Sequence, residues 1–144
     1  MITVQRNRLM NVPAEKVRAI ISDPVQLQRA MGVGSVEVLS RNGDHARVAV
    51  NTGLSLRGAE RVEGDAVTTP EGMRFTANQP MSMLLALTAV PHGPGSDVTV
   101  RIETELPPGL GMMARFIPQQ MIEQRAGAEL DRTLERLERV AQSQ

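Results

Sequence analysis

The chain has 144 residues, 41% of them apolar and 22% charged, with a formal net charge of zero. That length and balance suit one core-forming domain and exclude global disorder, and a neutral chain lacks the basic face that nucleic acid calls for. With no cysteine, a disulfide scaffold, a thiol nucleophile and a thiolate-bound metal are all excluded.

Trp and Tyr are absent and Phe75 and Phe116 are the only aromatics, so nine methionines take up part of the volume of the interior. Methionine is flexible and polarizable, which suits either a soft core or a pocket that accepts several ligands. The start, Met1-Ile2-Thr3-Val4-Gln5-Arg6, is strand-like and lacks the apolar stretch of a signal peptide. The longest apolar run, Met83 to Leu87, is too short to cross a bilayer. A soluble cytoplasmic protein, without stable membrane insertion, is the expectation.

Residues 2 to 10 read as a strand. Pro13 suits the first turn of a short helix in which Val17, Ile20 and Ile21 share a face, and Asp23-Pro24 supplies an N-cap and a first residue for a second one, ending near Met31. Gly32-Val33-Gly34 lacks the lysine of a phosphate loop and reads as a connector. The period then changes to two. Val36 and Val38 precede the turn Asn42-Gly43-Asp44, and Ala46, Val48 and Val50 follow it. A third strand of this meander is expected from about Leu54 to Val62, with an extension toward Thr68. Pro70-Glu71-Gly72 turns the chain into Met73–Ala77; Met81–Val90 is the next strand, and His92 to Asp97 the next turn. In the last strand Val98, Val100, Ile102 and Leu106 share one face.

Beyond Pro107-Pro108-Gly109 the pattern is helical. Leu130, Leu134, Leu137 and Ala141 form one stripe, while Arg125 with Glu129 and Glu135 with Arg139 are opposite charges four apart. Pro118 marks a kink or a fresh helix start. A meander of this length must bury one face, and the long helix is its only large apolar partner. The fold class is therefore α+β: a helix-grip fold, with a curved antiparallel sheet of about seven strands around a long C-terminal helix and two short helices after the first strand.

Several local words carry a resemblance: Val12-Pro13-Ala14-Glu15-Lys16-Val17, Ile20-Ile21-Ser22-Asp23-Pro24, Met31-Gly32-Val33-Gly34-Ser35-Val36, and the closing Leu130-Asp131-Arg132-Thr133-Leu134-Glu135-Arg136-Leu137. Over essentially its whole length, residues 1–144, the chain resembles a small bacterial member of the SRPBCC superfamily, which includes START-like domains, birch-pollen-allergen relatives and polyketide cyclase-like proteins. The resemblance implies a lipophilic ligand held in a cavity between sheet and helix; no cofactor is expected.

Candidate chemistry is sparse. His45 and His92, the only histidines, fall at turns with no convergent partners, so no metal site and no catalytic residue is assigned. The serines sit in no nucleophile-elbow pattern. Glu60 shares the parity of Leu54, Leu56 and Val62, and Arg6 and Arg8 share that of Val4 and Met10; these would form a polar cavity group unless a β-bulge turns them outward. The apolar cavity lining is expected to comprise Val48, Val50, Leu56, Phe75, Met83, Leu85, Val100, Met113, Phe116, Ile117 and Met121, around Glu60. The apolar stretch Gly109 to Ile117 reads as a gate near the mouth, with membrane-surface contact as its second reading. Both faces of Met81–Thr88 are apolar, which suits a homodimer contact or a central strand.

Three functions follow. The first is a non-enzymatic module that binds or carries a small hydrophobic molecule. The second is a polyketide cyclase- or dehydratase-like enzyme, whose acid/base groups would be Glu60 with Arg6 or Arg8. The third is a protein-interaction module with a filled core.

Overall fold

The computed structural model describes residues 2–31, 35–51, 61–79, 82–104 and 119–143. The chain runs β1 (Ile2–Met10), α1 (Ala14–Ile21), α2 (Pro24–Met31), β2 (Ser35–Asn42), β3 (His45–Asn51), β4 (Arg61–Thr69), β5 (Gly72–Gln79), β6 (Met83–His92), β7 (Gly95–Thr104) and α3 (Gln119–Gln142). The seven strands form one curved antiparallel sheet in the order β1-β7-β6-β5-β4-β3-β2. From β2 to β7 every neighbour in the sheet is also a neighbour in sequence, as expected of consecutive antiparallel strands. Gly43 (φ +61°) and Gly93 (φ +57°) supply the left-handed residues that two of these turns require. The turn read from His92 to Asp97 is tighter than the sequence suggests. His92 already pairs with Gly95, so β6 and β7 extend through most of it.

The first and second strands are opposite edges of the sheet. The chain travels between them through α1 and α2: α1 packs on β6 and β7, and α2 packs on β2 and α3. Pro13 stands at the N-cap rather than inside α1, and its carbonyl accepts the Lys16 N–H at 3.1 Å. The 1%-exposed Ser96 donates its hydroxyl to the Val12 carbonyl (2.7 Å), and Arg18 Nε donates to the Ala89 carbonyl (2.8 Å). Both bonds satisfy polar groups that would otherwise be buried without a partner, and both fix α1 against the start of β7 and the end of β6.

Helix α3 lies over one half of the sheet. It packs on β1, β7, α1 and α2, and buries Leu130, Leu134, Leu137 and Ala141, the stripe read from the sequence. These side chains meet a filled core that includes Val4, Met10, Val17, Ile20, Leu87, Ala89, Val98 and Val100. Each fully buried leucine of the stripe is worth roughly 1.5–3 kcal/mol relative to leaving it in water. Of the two predicted charge pairs, Glu135 with Arg139 forms at 3.8 Å, whereas Glu129 pairs with Arg132 instead of with Arg125. A spacing of three brings side chains onto the same helix face as readily as one of four.

The inward arginines of β1 follow from this placement. Arg6 and Arg8 do share the parity of Val4 and Met10, and that face meets α3. Arg8 Nε donates to Glu138 Oε1 at 3.0 Å and Arg8 lies 3.9 Å from Glu135, while Arg6 lies 3.8 Å from Asp131. A side chain added at Gly127 would strike the Arg6 guanidinium, so the glycine is what lets the arginine lie along the helix.

Candidate functional site

Against the other half of the sheet the described residues leave an open space. A cavity of about 440 Å³ lies against the concave faces of β2 to β7, between them and the α1–α2 link. Strand pairing explains its apolar wall. Val36 and Val38 face Val50 and Val48, Ala46 faces Ala66, and Ala66 faces Phe75, which faces Leu85, which faces Ile102. Successive inward positions of a strand lie two apart, so each contributes a side chain to the same wall. Ile21 and Leu27 approach from the helices, and Met73 and Met83 complete the apolar lining named here.

Polar lining groups lie where the cavity meets solvent. Arg41, Asp44, His45 and Glu129 are exposed, and Ser22 and Thr68 are half-buried. Arg41 is on the cavity face because the register of β2 against β3 shifts between Val38 and Ser40. One extra residue reverses parity beyond that point, so Arg41 opposes the inward Ala46. Arg47, without such a shift, stays on the outer face and pairs with Asp65 at 3.4 Å. Among the described residues Arg41 makes no ion pair or side-chain hydrogen bond.

A second register shift, between Glu63 and Asp65, brackets Gly64. A Cβ there would come within 2.7 Å of Phe75 Cζ and would also strike the Thr76 carbonyl oxygen. The glycine therefore leaves the floor of the cavity to the Phe75 ring, which is 4% exposed.

Of the residues expected to line a cavity, Val48, Val50, Phe75, Met83 and Leu85 border this one. Val100 does not. It pairs with Arg6 and Leu87, in the half that α3 covers, and is fully buried in the filled core. Met121 is 60% exposed on the first turns of α3 and does not border the cavity. Arg6 and Arg8 are held by acidic residues of α3 and do not border it either. Leu56, Glu60, Met113, Phe116, Ile117 and the Gly109 to Ile117 gate lie outside the described residues.

Sequence reasoning missed Val36, Val38, Ala46, Ala66 and Ile102, although their parity with residues it chose was available. It also missed Arg41, for which only an unannounced bulge is responsible. The strand expected from Leu54 is described only from Arg61 onward, through Thr69. The strand with two apolar faces, β6, is central in the sheet; its outward Leu84 and Ala86 stand half-buried between Thr76 and Glu103, and between Arg74 and Arg101. Among the described residues no group of three or more His, Asp or Glu could hold a metal ion, and no helix is long and apolar enough to cross a membrane.

A curved sheet gripping a C-terminal helix, with an apolar cavity on its concave face, defines a helix-grip protein of the START-like class. The chain belongs to the polyketide cyclase/dehydrase and lipid transport family, whose model matches residues 1–142, and thereby to the SRPBCC superfamily. Among solved structures it is similar to a protein from Thermus thermophilus (TM-score 0.77, 19% identity, covering 98% of this chain and 97% of that one). It is also similar to a START superfamily protein from Mycobacterium smegmatis (TM-score 0.67, 20% identity, 99% of each chain). The di-domain ARO/CYC StfQ from the steffimycin biosynthetic pathway superposes with a TM-score of 0.77 at 9% identity, over 99% of this chain and 51% of that one. No curated protein matches the sequence.

Proposed function

We propose that the protein binds or carries a small hydrophobic molecule in the cavity between β2–β7 and the helices. One observation carries this reading: a cavity of about 440 Å³ in which, among the described residues, the interior wall is apolar and the charged groups lie at the exposed rim. Ligand sites are typically concave, mostly apolar and of this size, with a few polar groups fixing orientation. An unoccupied hole in a core would instead cost stability in proportion to its volume. The lining proposed is Val36, Val48, Val50, Phe75, Met83, Leu85 and Ile102. The family's description, which includes lipid transport, supports the same reading.

A cyclase- or dehydratase-type enzyme is the second reading, supported by the other half of that description and by the presence of His45, Arg41 and Asp44 on the rim. His and Asp are residue types that general acid/base chemistry uses, and an arginine can stabilise a developing negative charge.

The test is titration with the neutral, environment-sensitive dye N-phenyl-1-naphthylamine, together with native mass spectrometry of protein purified from its own host. Saturable binding of one dye per chain, displaced by a co-purifying lipophile, is the expected result. A chain that neither binds the dye nor carries a lipophile would overturn the binding reading.

A further inference from the structure

We propose that the preferred ligand is an amphipathic monocarboxylate, its apolar body in the cavity and its single negative charge recognised by Arg41. The inference rests on the binding reading above and adds the class of ligand. The first observation is the bulge. Without the register shift between Val38 and Ser40, Arg41 would face outward like Arg47; with it, a cation stands on the cavity face opposite Ala46. The second is that Arg41 is unengaged among the described residues, while the other inward arginines, Arg6 and Arg8, are both paired with acids of α3. A guanidinium presents a planar fork of donors that matches a carboxylate in two parallel hydrogen bonds.

Size and charge narrow the class further. At about 30 Å³ per water-sized group, 440 Å³ holds roughly fifteen such groups, the bulk of a twelve-carbon acid or a tricyclic aromatic one. Among the described residues the apolar wall offers no partner to a second polar group deep inside, so the polar end of the ligand belongs at the rim. The charges of the described lining residues favour a ligand with one negative charge. Glu129 is engaged by Arg132, and Asp44 faces the same cavity beside Arg41. A dianionic phosphate would meet Asp44 and Glu129 with one arginine to offset it, whereas a carboxylate is matched one to one.

The experiment measures displacement of N-phenyl-1-naphthylamine by dodecanoate, dodecan-1-ol and dodecyl phosphate, and by anthracene-2-carboxylate against its neutral alcohol. The wild-type chain is expected to prefer an acid over its matched alcohol by about five- to tenfold, the scale of one partly exposed charge-assisted pair. Arg41→Gln should reduce that ratio to about one, Arg47→Gln should leave it intact, and Asp44→Asn should raise it about twofold. An equal affinity for acid and alcohol in the wild type, a preference that survives Arg41→Gln, or a phosphate bound as tightly as the carboxylate would each overturn the proposal while leaving the cavity reading standing. Failure of the dye itself to bind would overturn both.

Discussion

Replacing Ala66 with phenylalanine separates an empty cavity from a filled core by the sign of its effect on stability. Ala66 sits mid-wall on β4, between Ala46 and Phe75, with its side chain toward the cavity. In a close-packed interior, added side-chain volume forces neighbours off their rotamers and costs about 1–3 kcal/mol. Here the ring has space to enter. If it removes roughly 100 Å² of apolar surface from water, the gain is about 2.5 kcal/mol at 25 cal/mol per Å². Ordering the ring and imperfect fit offset part of that, and aromatic residues suit a strand. The net expectation is a stabilisation of about 1 kcal/mol, or a rise in Tm of roughly 2–4 °C. Binding of the neutral dye should fall at least tenfold in the same variant. Chemical denaturation monitored by circular dichroism, paired with dye titration, reads both quantities. The control is Leu134→Ala, which is 1% exposed under α3 and should cost about 3–5 kcal/mol while leaving the cavity wall untouched. A loss of more than about 1 kcal/mol in Ala66→Phe would refute the reasoning, because only a filled site resists the added ring.

Four further substitutions probe the frame that positions the cavity. Gly64→Ala should destabilise by about 1–3 kcal/mol in urea denaturation, since its Cβ meets the Thr76 backbone and the Phe75 ring together. Glu138→Ala should cost about 1–2 kcal/mol, because its carboxylate is 13% exposed and accepts from both Arg8 Nε and the Asn11 N–H; Asp131→Ala, 57% exposed and 3.8 Å from Arg6, should change stability by less than about 0.5 kcal/mol. Gly127→Ala is expected to be neutral or to stabilise by up to about 1 kcal/mol, because helix propensity improves and the nearest obstacle is the far end of the flexible Arg6 side chain. A loss above about 1 kcal/mol at Gly127 would mean that Arg6 cannot move aside.

Much of the architecture was legible because it depends on local rules. The Leu130 to Ala141 stripe, the alternation around Val98, and the glycine turns at 43 and 93 each encode an element within a few residues, and a meander then leaves little choice of topology. The cavity was half legible. Parity identified Val48, Val50, Phe75, Met83 and Leu85 as inward, and they border it. Parity could not say which inward residues lie beneath α3, because helix placement is a tertiary property; Val100 lies there, and Met121 stands exposed on a helix face without a strong stripe. The partners of Arg6 and Arg8 were hidden for the same cause, since they lie more than a hundred residues away on α3. Arg41 depends on a single-residue register shift at Leu39, where neither glycine nor proline marks the spot.

The placement of β1 and β2 at opposite edges also sets an order of events during folding. In the cavity half the paired strands are neighbours in sequence, so its contacts close shorter loops than the pairing of β1 with β7 does. The filled half needs Ile2 to find Thr104 and Val4 to find Ile102, and then needs α3 to cover them. Pairing over such separations is slow, and during synthesis its completion waits for α3 to leave the ribosome. The wall of the cavity therefore forms early, as a sheet with one apolar face open to water. Until β7 and then α3 arrive, β1 has neither a partner strand nor a cover, and that interval is when the growing chain is most exposed to aggregation.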